Sequence, residues 1–293
     1  VDAWGECKLI LKNKGFGVKM IISKKPEKPM ALSIAPLFSG SSGNSIFIRS
    51  KSACILVDAG VSCTKIRGEL QKLDAHMDEL DGILVTHEHI DHIRGLDIIS
   101  KKYNVPVYAN EQTWEVLLPK LPDIQAKNVR VIQAEDFYIK DICVQPFELS
   151  HDAACTFGYA LTSRGKKVSV LTDLGHVTRK IIEQAAGSSI VLLEANHDVE
   201  MLNAGPYPYR LKHRILSTKG HLSNDAAAQA AFDLAKTGVR GIILGHLSLQ
   251  NNMEDLAVQT VTGYLCQRGV QVGKHLAVTL AKRDQLTGCY DAR

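Results

Sequence analysis

The segment His87-Glu88-His89-Ile90-Asp91-His92 places four side chains able to ligate a metal within one turn of chain, directly after the apolar run Gly82-Ile83-Leu84-Val85-Thr86. That run reads as a buried strand, and Ile93-Arg94-Gly95-Leu96-Asp97-Ile98-Ile99 reads as the start of a helix. The donors therefore sit where a strand end meets a helix N-terminus, the edge at which open α/β sheets gather their sites. Three imidazoles and a carboxylate crowded into six residues gain nothing from packing on one another. Imidazole is, by contrast, a common ligand of borderline divalent metals.

The pattern around this segment alternates short strands and helices. Strands are expected at 32–38, 46–48, 55–57, 82–86, 105–109, 129–132, 136–139, 142–149, 156–162, 167–172, 189–194, 240–244 and 275–280. Helices are expected from Ser62 or Thr64 to about Leu73, after His92, and at 113–118, 177–186, 223–237 and 253–268. Ser163-Arg164-Gly165-Lys166 reads as a hairpin turn. Two blocks of strands, each followed by helices, suggest two sheets packed face to face with helices outside. Periodicity alone does not select that architecture.

Strand ends in the later half repeatedly deliver ligand-type residues. Strand 142–149 leads into Ser150-His151-Asp152, strand 167–172 ends at Asp173, and strand 240–244 ends at Gly245-His246. A strand end is rigid and aims the next side chain into a shared crevice, which a pre-organised metal site requires.

The order Asp58, His87-x-His89-x-Asp91-His92, His151, Asp173, His246 resembles that of the metallo-β-lactamase-fold hydrolases over residues 30–293. The resemblance implies an αββα sandwich of two mixed sheets with a dinuclear site at one sheet edge. By it, His87, His89 and His151 hold one divalent ion, Asp91, His92 and His246 hold a second, Asp173 bridges them, and Asp58 orders the ligand loop from behind. Two such ions, zinc or manganese, share a hydroxide near neutral pH and withdraw charge from the transition state.

A narrower resemblance rests on Phe38-Ser39-Gly40-Ser41-Ser42-Gly43-Asn44-Ser45, Glu194-Ala195-Asn196-His197-Asp198, Gly205-Pro206-Tyr207-Pro208 with Leu211-Lys212-x-Arg214, Gly220-His221-Leu222-Ser223-Asn224 and Gly245-His246-Leu247-Ser248. These look like the YycJ/WalJ-type bacterial branch, which is associated with exonuclease activity on DNA from the 5′ end. The reaction implied is attack of a hydroxide bridging the metals on phosphorus, with Asp173 and Asp91 positioning it. His221 then either donates a proton to the leaving oxygen or binds a phosphate. Ser41, Ser42 and Asn44 form either a phosphate-binding turn or only a tight turn. Ser223 or Asn224 caps a helix whose N-terminus favours an anion. Asn196 is counted with the substrate contacts, and His197 is either a substrate contact or a partner of the ligands. Lys212, His213, Arg214 and Lys219 make a basic stretch beside which Tyr207 and Tyr209 are candidates for base stacking.

The composition narrows the remaining choices. There are 35 basic and 31 acidic residues, and the seven lysines and three acids of residues 1–29 account for the whole excess. Nucleic-acid binding then calls for a local basic groove rather than a basic protein. Residues 1–29 show no clean periodicity, no signal-peptide core and no transit-peptide bias, and read as a flexible basic extension before a domain starting near Met30. Seven scattered cysteines with no C-x-x-C pair fit reduced thiols in a cytoplasm. No apolar run approaches the roughly 18 to 20 residues that span a bilayer. Two rivals stay open: a metal-dependent thioester or lactone hydrolase using the same ligands, and a non-hydrolytic nucleic-acid-binding or regulatory protein with structural metals.

Overall fold

The computed structural model of the protein describes residues 32–293; the extension over 1–29 and the start near Met30 lie outside the described residues. The chain first lays down β1 (Leu32–Phe38), β2 (Ser45–Ser50), β3 (Cys54–Val57), β4 (Gly82–Leu84), β5 (Val107–Ala109) and β6 (Val129–Val131). It then lays down β7 (Phe137–Ile139), β8 (Ile142–Leu149), β9 (Thr156–Ser163), β10 (Lys166–Leu171), β11 (Ile190–Glu194), β12 (Gly241–Gly245) and β13 (Ala277–Leu280), and ends on β14 (Tyr290–Asp291). Among the described residues these form two seven-stranded sheets, ordered β14-β1-β2-β3-β4-β5-β6 and β13-β12-β11-β10-β9-β8-β7. Both are mixed. Hairpins build β1 to β3 and β7 to β10, whereas β3 to β6 and β10 to β13 run parallel.

Alternation along the strands decides what each face meets. Ile46 and Ile48 of β2, Ile55 and Val57 of β3, Leu192 of β11 and Ile243 of β12 point into one buried cluster shared by both sheets. Their neighbours Phe47, Leu56, Val191, Leu193, Ile242 and Leu244 point the other way. Each sheet is therefore apolar on both faces and has to be covered twice, which produces four layers.

The covering helices supply the matching stripes. On the first sheet, α1 (Cys63–Gln71) contributes Ile66 and Leu70, α2 (Ile90–Ile93) Ile93, α3 (Leu96–Tyr103) Leu96 and Ile99, and α4 (Glu111–Leu117) Trp114 and Leu117. On the second, α5 (Arg179–Ala185) contributes Ile181. Two short helices, α6 (Val199–Ala204) and α7 (Tyr209–Ile215), precede α8 (Asn224–Lys236), which contributes Ala227, Ala231 and Leu234, and α9 (Glu254–Gln267), which contributes Val261 and Leu265. The αββα sandwich implied by the motifs is the fold. At its working end, Tyr159 of β9 is fully buried and its hydroxyl donates to the Val85 carbonyl at 2.6 Å, tying the sheets together next to the ligand segment.

Three local expectations need correction. The helix expected after His92 begins earlier, at Ile90, and breaks at Gly95, whose N–H donates to Ala59 O at 2.8 Å and where a Cβ would stand 2.3 Å from Val61 O. Residues 199–215, given no helix by the pattern, form α6 and α7; two-turn helices separated by Pro206 and Pro208 are too short to show a period. The two residues of β14 carry no pattern at all, yet complete the edge beside β1.

Gly60 controls how closely the loops at this end nest. Its N–H donates to Asn44 O at 2.7 Å, Asn44 N–H to Asp91 O at 2.8 Å, and Ala59 N–H to His92 O at 2.8 Å. A Cβ on Gly60 would fall 1.6 Å from Asp91 O. Gly60→Ala is therefore expected to force the ligand segment outward, lowering stability by about 2–3 kcal/mol and reducing bound metal, as read by denaturant titration and elemental analysis. Leu192→Ala, between the sheets, is expected to cost about 2–5 kcal/mol. The same titration should leave Ile98→Ala, at a 56% exposed site, within about 0.5 kcal/mol of the parent.

Candidate metal centre

The side chains of the site lie at or just beyond the C-terminal ends of strands. Asp58 follows β3, His87 to His92 follow β4, His151 follows β8, Asp173 follows β10, Glu194 ends β11 and His246 follows β12. Asp58, Asp173 and His246 have φ of 64°, 60° and 55°, in the left-handed region. Non-glycine residues there are uncommon, with Asp and His among those that tolerate it, and such conformations gather at functional sites.

The side chains form four overlapping donor groups among the described residues; two of them share no residue, and Asp173 groups both with His87 and His92 and with Glu194, His221 and His246. His87, His89 and His151 offer atoms within 4.8 Å of one another, with His87 Nε2 and His89 Nδ1 2.9 Å apart. Asp91, His92 and His246 form a second such set, with Asp91 Oδ2 3.5 Å from His92 Nε2 and 3.8 Å from His246 Nε2. Asp173 stands between them: Oδ2 lies 3.2 Å from His92 Nε2 and Oδ1 3.8 Å from His151 Nε2.

Three of these imidazoles are held by their far nitrogen. His92 Nδ1 donates to Asp58 Oδ2 at 2.7 Å and His151 Nδ1 to Gly220 O at 3.1 Å, while His246 Nδ1 stands between Glu194 Oε1 at 3.2 Å and Asp173 Oδ1 at 3.1 Å. Such bonds fix the tautomer and turn Nε2 toward a common point. His151 Nε2, His246 Nε2 and Asp173 Oδ2 are fully buried with no hydrogen-bond partner. Buried polar atoms without partners are costly, so converging ones fit a cation. The donor set fits divalent metal on chemistry as well: imidazole and carboxylate, with no thiolate.

Electrostatics divides the two sets. Burial, reinforced by His92, holds His87 well below its ordinary range, and burial also lowers His151 against the pull of Asp173. Both are neutral donors. In the second set burial again opposes charge, yet Asp173, Asp58 and Asp91 hold His92 well above its ordinary range, and Asp173, Asp91 and Glu194 lift His246 to about 10. The carboxylates of this half favour positive charge at the ring nitrogens, and a divalent ion competes with protons for the same lone pairs.

Asp58 lies behind the hexapeptide, against Thr86 and His92. It is fully buried and accepts from Thr86 N at 2.8 Å and Thr86 Oγ1 at 2.9 Å as well as from His92. Glu194 is the residue that the residue pattern did not single out. Wholly buried, it accepts from His221 Nδ1 at 2.7 Å, from His246 Nδ1 and from Leu174 N at 2.9 Å. Burial alone would raise its carboxyl, but His221 and His246 hold it at about 2. The same contact works in reverse on His221: burial disfavours its charge, and Glu194 outweighs that and raises it. A signal for Glu194 did exist, since a carboxylate ending the apolar strand Ile190–Leu193 parallels Asp173.

The expected substrate contacts separate into groups. Ser41, Asn196 and His221 line a cavity of about 160 Å³ beside the donors, with Asp152, Tyr207, Leu211, Arg214, Ile215, Gly220 and Ser248. Asn196 also donates from Nδ2 to His246 O at 2.9 Å, steadying that ligand's loop. Ser42 is exposed but outside the cavity lining. Asn44 is corrected: it is buried, its Oδ1 accepts from Gly40 N at 2.9 Å, and its Nδ2 lies 3.0 Å from His92 Nε2, so it braces the ligands. Asn224 is corrected too, because its amide exchanges hydrogen bonds of 3.0 and 2.9 Å with Asn252 in the interior. Ser223 caps α8 by accepting from Ala226 N at 3.1 Å. His197 is 1% exposed, both ring nitrogens lack partners, and burial lowers it to about 4. Tyr209, 80% exposed, stands away from the cavity that Tyr207 lines.

Comparison with known proteins agrees with this geometry. Residues 54–246 match the family described as the Beta-lactamase superfamily domain. The chain is 40% identical over 248 residues to the exodeoxyribonuclease YycJ of Bacillus anthracis, covering 84% of this chain and 93% of that protein. It is 39% identical over 259 residues to the exodeoxyribonuclease WalJ of Streptococcus pneumoniae, covering 86% and 94%. The crystal structure of the metallo-β-lactamase-fold protein YhfI of Bacillus subtilis superposes with a TM-score of 0.65 at 15% identity, over 87% of this chain and 98% of that one, a likeness of fold. By its sheets, its strand-end donors and these matches, the chain belongs to the metallo-β-lactamase superfamily.

Proposed function

We propose that the protein is an exonuclease that hydrolyses DNA from a 5′ end with two divalent ions, zinc or manganese, held by His87, His89 and His151 and by Asp91, His92 and His246, with Asp173 between them. The observation that carries this reading is the pair of donor sets with Asp173 3.2 Å from His92 of one and 3.8 Å from His151 of the other, and the Glu194–His221 pair beside them. The likeness to two proteins named exodeoxyribonucleases supports a DNA substrate, and the motifs of the YycJ/WalJ-type branch support the polarity. The proposed compartment is the cytoplasm: Cys54, Cys63, Cys143, Cys155 and Cys289 are free thiols, as a reducing environment favours. No helix among the described residues is long and apolar enough to cross a membrane.

Hydrolysis of a phosphodiester gives an oxygen from water to phosphorus and a proton to the leaving oxygen. When bound, the ions supply a water-derived nucleophile at neutral pH and positive charge against the phosphate oxygens. Asp91 and Asp173 orient the attacking water from the donor side. His221, with Nδ1 committed to Glu194, carries its second proton on Nε2 and delivers it to the leaving oxygen. Glu194 keeps that imidazole charged until the transfer.

Digestion of end-labelled single- and double-stranded DNA and RNA with added zinc or manganese tests the reading; turnover of a thioester alone would sink it. Asp173→Ala is expected to lower DNA turnover at least about a hundredfold while the circular dichroism spectrum is kept. His221→Ala is expected to lose about a hundredfold or more on DNA. It should lose far less on the 4-nitrophenyl ester of thymidine 5′-phosphate, whose leaving group departs without a proton.

A further inference from the structure

The cavity beside His221 encloses about 160 Å³, roughly half the smallest pockets that enclose a drug-sized ligand. It has room for a phosphate and the adjoining atoms of one sugar, with the base outside. Because His221 protonates the leaving oxygen, the group that enters this cavity is the departing one. A bounded space on the departing side admits a chain end.

The wall of the cavity formed by α7 and the segment after it is basic. Residues 201–224 hold Arg210, Lys212, Arg214 and Lys219 and no acidic residue. Of these, Arg214 lines the cavity. Its side chain is 52% exposed and pairs through Nε with Asp152, which comes from the neighbouring strand end. Asp152 also stands 3.3 Å from His151 Nε2 through its other oxygen, so it belongs to the crowded side of the site. The pair engages Nε and leaves the two terminal nitrogens, the fork that matches a phosphate, free of the carboxylate on a side chain that lines the cavity.

We infer that Arg214 is the specificity-determining residue that reads the terminal 5′-phosphate, and that Asp152 holds the guanidinium until that phosphate replaces it. The inference rests on the nuclease reading and on His221 as the acid. Charge sets the direction of exchange. A phosphate monoester carries about −1.5 to −2 near neutral pH, against −1 for the carboxylate, whereas an internal diester carries only −1. An end bearing a phosphate displaces Asp152; a hydroxyl end does not.

The test is binding of a 3′-fluorescent pentathymidylate with methylphosphonate linkages, which are neutral and resist cleavage, to the full metal-loaded chain. With a 5′-phosphate it is expected to bind roughly tenfold tighter than with a 5′-hydroxyl. Arg214→Gln should bring the ratio close to one by weakening the phosphorylated probe alone. Asp152→Asn, which releases the guanidinium, should widen it, a change that loss of fold cannot produce. Equal binding of both probes by the parent protein, or equal weakening of both by Arg214→Gln, overturns the inference. Ordinary DNA run beside the probes separates the two readings: no cleavage of any strand removes the nuclease, while the binding ratio still judges Arg214.

Discussion

Asp58 sits at the end of a strand in the first sheet with its carboxylate wholly inside the protein, accepting from Thr86 N, Thr86 Oγ1 and His92 Nδ1. Burying such a group is costly unless its oxygens are satisfied, so its partners are held as firmly as the penalty for losing them. Those partners are the residue before the hexapeptide and one of the ligands within it. One buried carboxylate thus fixes the course of the ligand loop, the tautomer of His92 and the direction of its free nitrogen. The nest around Gly60 closes the loop from the other side, and Tyr159 ties it to the opposite sheet.

The same logic repeats in the second sheet with Glu194. It spans His221 and His246, so the cavity-lining histidine and a histidine of the second donor set share one anchor. A group that serves both cannot move for one without moving the other. The left-handed conformations of Asp58, Asp173 and His246 are part of this arrangement, since each costs backbone energy that only a well-packed surrounding can sustain.

Much of this was legible in the sequence. Apolar alternation located most strands, and a ligand-type residue at the end of each pointed to the edge where the site lies. What could not be read were partnerships between distant residues. Nothing near Asn224 announces Asn252, and nothing near Asn44 announces His92, so both amides looked available to a substrate when the interior uses them. Glu194 was visible as a strand-end carboxylate, but its weight comes from His221 and His246, 27 and 52 residues away. Helices α6 and α7 escaped because two turns between prolines leave no period to detect.

The donors are divided between the halves of the chain: the hexapeptide follows a strand of the first sheet, and His151, Asp173 and His246 follow strands of the second. A newly synthesised chain that stops short of His246 already carries His87, His89 and His151 in full, and lacks only the last member of the set Asp91, His92 and His246. That set is therefore completed late, when β12 has docked and brought His246 beside Asp91 and His92. The order of the chain thus makes one cluster local to the early strands of the two sheets and leaves the other waiting on a residue 154 positions beyond His92.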